Sequence, residues 1–151
     1  MRRHQLAERL LVDVLGLQLH TVHAEAHRLE HAISPAVEEK LQQRLGRPET
    51  CPFGHPIPGN GYQAPNSAVP LDRIKIGGRA VVERIPEYDP KLVEYLVSSG
   101  LVRGETLEVT DIAPYRGTMT MKVEDRDVVL GLQVAPRLVV DPIGRESVQV
   151  A

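Results

Sequence analysis

Histidine and glutamate crowd the segment HAEAHRLEHAIS: three histidines and two glutamates fall between His23 and His31. Imidazole nitrogen and carboxylate oxygen together form a donor set for a divalent transition metal such as Mn, Fe, Co, Ni or Zn. Successive residues of an α-helix step by roughly 100°. His23, His27, Glu30 and His31, spaced i, i+4, i+7, i+8, therefore share one face. Val22, Ala26, Leu29 and Ile33 form an apolar stripe beside it, whereas Glu25 and Arg28 point elsewhere. His4 and Glu8 make a second i, i+4 pair on an earlier helical stretch. If those two helices pack antiparallel, two neighbouring sites arise: His27, Glu30 and His31 in one, and His4, Glu8 and His23 in the other.

The plain alternative is a set of solvated helix faces. Five of the six histidines lie within the first 31 residues, which favours ligation over solubility. His20 is left without a role. Cys51 and His55 are also i, i+4, but their loop lacks a helical scaffold, so their spacing reads as coincidence. His27-Arg28-Leu29-Glu30-His31 also matches H-x-x-E-H, a zinc protease pattern. That chemistry needs a further ligand and a substrate cleft, for which the rest of the chain leaves little room. No enzyme activity is expected.

The elements that must position these groups are legible. RRHQLAERLLVDVLG sets Leu6, Leu10 and Val14 on one side with Ala7 and Leu11 beside them, and stops at Gly16, a C-cap residue. Thr21 is placed to cap the next helix, which ends at Ser34-Pro35. Ser34 caps in turn, with Pro35 at the first helical position of a helix through Leu45. The texture then changes. Residues 51–70 contain five prolines and three glycines and read as loop and linker. Short β-rich runs follow (RAVVERI, TLEVTDI, TMTMKVE, DVVLG and RLVV), with turns at Arg103-Gly104 and Arg116-Gly117. They suggest a small antiparallel barrel, interrupted by one helix, PKLVEYLVSSG, closed by Gly100.

Composition sets the outer limits. The 151 residues carry a formal net charge of −2, so no overall basic field attracts nucleic acid. One Phe, four Tyr and no Trp argue against stacking platforms for single strands. A lone Cys51 suits a reducing compartment. No apolar run approaches the ~20 residues of a membrane span, and charge interrupts the apolar residues of the first stretch too often for a secretory signal. A cytoplasmic protein without membrane partners is expected.

RRHQLAERLL, VHAEAHRLEHAIS and PFGHPIPG, in that order, resemble the landmarks of the metal-dependent repressors typified by the diphtheria toxin repressor and the manganese transport regulators. Residues 69–141, from VPLDRIKIGGRAVV through LVSSGLVRGETLEV to LGLQVAPRLVV, resemble the SH3-like FeoA domain that ends many of those proteins. The resemblance covers nearly the whole chain. It implies an α+β protein: a three-helix metal-binding and dimerisation domain over 1–50, a Pro/Gly-rich linker over 51–68, an SH3-like domain over 69–141 and a tail over 142–151. It also implies a homodimer. His4, Glu8 and His23 match the ancillary metal site, and His27, Glu30 and His31 the primary one. Asp89 aligns with an acid that the SH3-like domain contributes, while Leu92 stands where a glutamine would.

Two departures qualify the match. Histidine at position 27 replaces the cysteine of iron-type relatives and the glutamate of manganese-type ones. Mn(II) or Fe(II) is then the expected cofactor, with Zn(II) or Co(II) accommodated. The chain also opens where the family's winged helix-turn-helix would be ending, so that DNA-reading module is expected to be absent. The expected function is the metal-sensing and dimerisation part of a repressor of metal homeostasis genes, with operator DNA a partner only where the native protein carries that module. The alternative is a stand-alone metal-binding protein or an accessory to ferrous iron transport.

Overall fold

A computed structural model describes residues 2–149. The chain divides into two compact units. The first runs to Gln63 and takes in Glu87–Glu94; the second comprises Ala64–Pro86 and the chain from Tyr95.

In the first unit, α1 (Arg2–Arg9), α2 (Leu19–Glu30) and α3 (Pro35–Arg44) follow the apolar periodicity. α1 packs on both α2 and α3. Leu6, Ala7, Leu11, Val22, Ala26 and Ile33 are buried, so three of the four residues of the apolar stripe pack within the chain's own unit. Gly16 adopts φ +72°, the left-handed conformation of a helix terminus. Before it, the backbone widens into a π-helical turn, Leu10–Val14, with Leu15 N–H bonded to Leu10 O at 3.1 Å. That turn leaves Val14 and Leu15 each 60% exposed.

α2 begins earlier than its Thr21 suggested. Gln18 is the residue before the helix, and the Thr21 hydroxyl donates to Gln18 O at 2.8 Å instead of capping an N–H. Ser34 does cap α3, its Oγ accepting Val37 N–H at 3.2 Å, with Pro35 opening the helix. Arg2 and Arg3 both pair with Glu38, which ties the start of α1 to α3.

The proline-rich segment is packed. Cys51, Phe53 and Ile57 are buried with at most 1% exposure, and residues up to Gln63 belong to the helical unit. Proline and glycine give the segment its loop conformation, yet Phe53 and Ile57 between them anchor it by burial. Arg9 donates to Thr50 O at 2.7 Å and Gln5 to Pro56 O at 2.7 Å, two further ties to α1.

The second unit is a six-stranded antiparallel sheet: β1 (Val69–Pro70), β2 (Arg79–Arg84), β3 (Thr106–Ala113), β4 (Thr118–Val123), β5 (Arg126–Gly131) and β6 (Val139–Ile143). Their order is β1-β6-β2-β3-β4-β5. Leu107 and Val109, then Met119, Met121 and Val123, alternate inward as a period of two requires. β4 and β5 meet at Glu124-Asp125, both at positive φ (49° and 65°), the backbone of a two-residue hairpin turn whose twist matches its strands. β5 is an edge strand, and Tyr95 OH covers part of it by donating to Val129 O at 2.6 Å. The chain beyond β6 also packs, through a bridge between Ile74 and Val148. Residues 150 and 151 of the expected tail lie outside the described residues. α4 (Pro90–Ser98) follows the PKLVEYLVS pattern, with Val93 and Leu96 buried.

Two measurements probe this packing. A Cβ on Gly78 would stand 2.6 Å from Ser147 O, 2.8 Å from Ile74 Cγ2 and 2.9 Å from Lys75 O. Gly78→Ala is expected to destabilise the chain by about 1–3 kcal/mol in denaturant titration, as overpacking does. Burial pushes the Cys51 thiol up to about 12. A thiol reagent should therefore label the native chain on the order of a hundredfold or more slowly than the unfolded chain, and equal rates would show that the loop is not packed.

Candidate metal centre

Four side chains from three segments converge in the helical unit. α1 presents His4 and Glu8 one turn apart, α2 presents His23 from the facing helix, and the segment ahead of α4 delivers Glu87. One ligand atom from each lies within 4.8 Å of those of the other three. His23 Nδ1 is 2.9 Å from Glu87 Oε2. His4 Nε2 stands 3.4 Å from Glu8 Oε2 and 3.5 Å from Glu87 Oε2. The His4 and His23 rings meet edge to face, centroids 4.9 Å apart. The Tyr88 ring also meets His23 edge to face, centroids 4.6 Å apart.

The electrostatics are those of a buried anionic pocket. Glu8 is 0% exposed and Glu87 6%. Burial pushes the Glu8 carboxyl up to about 7, against the pull of His4. Burial raises Glu87 too, but His4, Glu8 and His23 outweigh it and hold that carboxyl at about 2. The carboxylates of Glu8 and Glu87 in turn raise His4 to about 10.

Both Glu8 oxygens are fully buried and lack a hydrogen-bond partner among the described residues. Leaving a buried carboxylate unsatisfied is costly, and a divalent cation would supply the missing interaction. Two imidazoles and two carboxylates are a donor set that suits a transition metal. The residues fit such an ion.

His27, Glu30 and His31 form a second group, also within 4.8 Å of one another. His27 Nδ1 is 3.1 Å from Glu30 Oε1, and the His27 and His31 rings lie 5.2 Å apart. This group is open to solvent, with the His27 side chain 67% exposed, and all three donors come from the end of α2. His4 Nδ1 reaches Glu30 Oε1 at 3.2 Å. One imidazole thus touches a carboxylate of each group.

The structure brings together the same two trios that helical spacing proposed. Asp89 stands apart from them: it is exposed, and its Oδ1 accepts Leu92 N–H at 3.2 Å at the start of α4. The acid in the cluster is Glu87, two residues earlier. No periodic element surrounds IPEYDP, so the sequence offered no face on which to choose between the two acids. Leu92 offers no donor. Cys51 is held within the loop, its N–H bonded to His55 O at 2.8 Å, and its sulfur is not in either group. His55 is closer than its spacing suggested, with Nε2 3.5 Å from Glu87 Oε1. His20 pairs with Glu94 at 3.1 Å.

Comparison with known proteins finds matches along most of the chain. The family model for the metal binding and dimerisation domain of iron-dependent repressors matches residues 1–59, and that for the FeoA domain matches 69–142. The iron-dependent repressor IdeR of Mycobacterium tuberculosis is 61% identical over 59 residues, which are 39% of this chain and 26% of that protein. The diphtheria toxin repressor of Corynebacterium diphtheriae is 36% identical over 132 residues, 84% of this chain and 55% of that protein. The matched stretch thus spans from about a quarter to about half of the length of these relatives. Among solved structures, a manganese-dependent transcriptional repressor superposes with a TM-score of 0.86 at 33% identity, covering 94% of this chain and 78% of that one. The repressor ScaR with bound Zn2+ superposes with a TM-score of 0.79 at 29% identity, covering 94% and 71%. With its two domain matches and a solved relative covered over most of its length, the chain belongs to the family of metal-dependent transcriptional repressors.

Proposed function

We propose that this chain is the metal-sensing and dimerisation part of a cytoplasmic repressor of transition-metal homeostasis genes. The observation that carries this reading is the buried Glu8 carboxylate, without a hydrogen-bond partner among the described residues and flanked by His4, His23 and Glu87. His4, Glu8, His23 and Glu87 would hold one ion, and His27, Glu30 and His31 would contribute to a second. Asp89 is not needed for either. Mn(II) or Fe(II) is the proposed cofactor, and the nitrogen-rich second group also accommodates Zn(II) or Co(II). The relatives' names support this choice, since they include iron- and manganese-dependent repressors.

A bound divalent ion supplies positive charge and directional acceptor sites for the donors. The protein's part is positional. Glu8 and Glu87 concentrate negative charge where solvent cannot screen it, and the imidazoles orient them. A bound ion would tie α1, α2 and the segment ahead of α4 at one point, and the arrangement so favoured would gain population by no more than its advantage in affinity. In the full repressor, such a shift would fix the spacing of two recognition helices on a palindromic operator, where the native protein carries a DNA-reading domain. Among the described residues no helix is long and apolar enough to cross a membrane.

Homodimerisation is part of the proposal. Val14 and Leu15 after α1, and Val37 on α3, are 60%, 60% and 47% exposed. The matched domain is a dimerisation domain, and apolar surface of this kind is what an obligate partner covers.

Metal titration followed by thermal unfolding tests the sensing claim. Ion at about a hundredfold over its Kd should stabilise the chain by about 2.7 kcal/mol per site. Glu8→Gln should keep or raise the metal-free midpoint, because a neutral amide replaces a buried acid, while losing most of the shift caused by metal. Paired His27→Ala and Glu30→Ala substitutions should remove the second binding event and spare the first. Unchanged titrations in both variants would refute the reading. For assembly, Leu15→Asp combined with Val37→Asp should convert a species of twice the chain mass into one of single mass in light scattering.

A further inference from the structure

His55 belongs to neither group of candidate ligands, yet its ring is held against one of them. The loop that carries it is fixed from both sides. Its backbone carbonyl accepts Cys51 N–H at 2.8 Å, and Gly54, at φ +96°, closes the turn by donating to Cys51 O at 3.0 Å. On the other side, Gln5 Nε2 donates to Pro56 O at 2.7 Å, and Thr50 and Pro56 form a β-bridge. Phe53 and Ile57, both buried, lock the loop beneath. Gln5 and His4 are neighbours on α1, so the helix that supplies two proposed ligands also sets the position of His55.

The Glu87 carboxylate has two oxygens in different surroundings. Oε2 faces the cluster, 2.9 Å from His23 Nδ1 and 3.5 Å from His4 Nε2. Oε1 lies 3.5 Å from His55 Nε2, at ion-pair distance and not in a formed hydrogen bond. A ligating carboxylate is oriented by what its other oxygen meets, and such outer partners typically change metal affinity by ten- to a hundredfold. An acid in an irregular segment, with no helix to fix its rotamer, has more need of such a partner than Glu8 on α1.

We propose that His55 is a positioning residue of the buried metal centre: its imidazole holds Glu87 through Oε1 and so presents Oε2 to the ion. The proposal rests on the metal centre described above. It makes the proline-glycine loop part of the metal-binding apparatus, with Gln5 linking the loop to α1.

The test is Co(II) binding to the full chain, read both as affinity by competition with a chelator and as the visible ligand-field spectrum. His55→Ala should weaken Co(II) at the buried site about ten- to a hundredfold while leaving the band pattern unchanged, since no direct ligand is lost. His55→Gln, which keeps an amide donor at similar reach, should recover most of that loss and guards against a folding defect in the alanine variant. In a Glu87→Ala background, His55→Ala should have no further effect. A wild-type chain that binds Co(II) with His55→Ala equally tight overturns this inference alone. So does a changed band pattern in His55→Ala, which would make His55 a direct ligand, or an equal penalty with and without Glu87. A wild-type chain that binds no Co(II) overturns the metal centre itself, and this inference with it.

Discussion

The Glu8 carboxylate organises the helical unit. It sits on α1 with no solvent exposure and no hydrogen-bond partner among the described residues. A buried carboxylate with neither oxygen hydrogen-bonded is unfavourable in a folded protein, and His4 Nε2, 3.4 Å from Oε2, meets it only at ion-pair distance. The fold nonetheless surrounds it with Glu87, a second acid, and with His4 and His23. Helix propensity and apolar burial would be served equally well by a leucine at this position. On the proposed function, the acid stands at this position for a cation to satisfy it.

The supporting structure is built around that constraint. Ion pairs from Arg2 and Arg3 to Glu38 anchor the start of α1 beside His4. Burial of Leu6, Ala7, Val22 and Ala26 fixes how α1 and α2 face each other, and with it the separation of Glu8 from His23. Glu87 arrives from a distant part of the chain and completes the group without belonging to a helix or strand. His4 then touches Glu30 as well as Glu8 and Glu87. One ring thus stands within 3.5 Å of carboxylates of both groups.

The helical half was readable because its signals are local. The i, i+4 spacing put His4 with Glu8, and His27 with His31; Ser34-Pro35 marked a helix start that the structure keeps. The β-rich runs and their glycine turns likewise gave the strands, since a period of two and a positive φ leave direct traces in sequence. What was not legible depends on contacts between distant residues. Glu87 and Asp89 are equivalent acids until the backbone places one in the cluster and turns the other to cap α4. Prolines and glycines around Cys51 read as a linker, but Phe53 and Ile57 make it a packed loop, and that burial is tertiary. Thr21 is a sound cap by composition alone. The helix begins two residues earlier, at Leu19, and the hydroxyl donates to a carbonyl instead.

The most direct measurement is anomalous diffraction from crystals of the chain grown with Mn(II). The expected result is a peak enclosed by His4, Glu8, His23 and Glu87, with Glu8 in direct contact with the ion. A map without density there at saturating metal, with Glu8 still buried among the same neighbours, would contradict the claim that this carboxylate is kept for a cation.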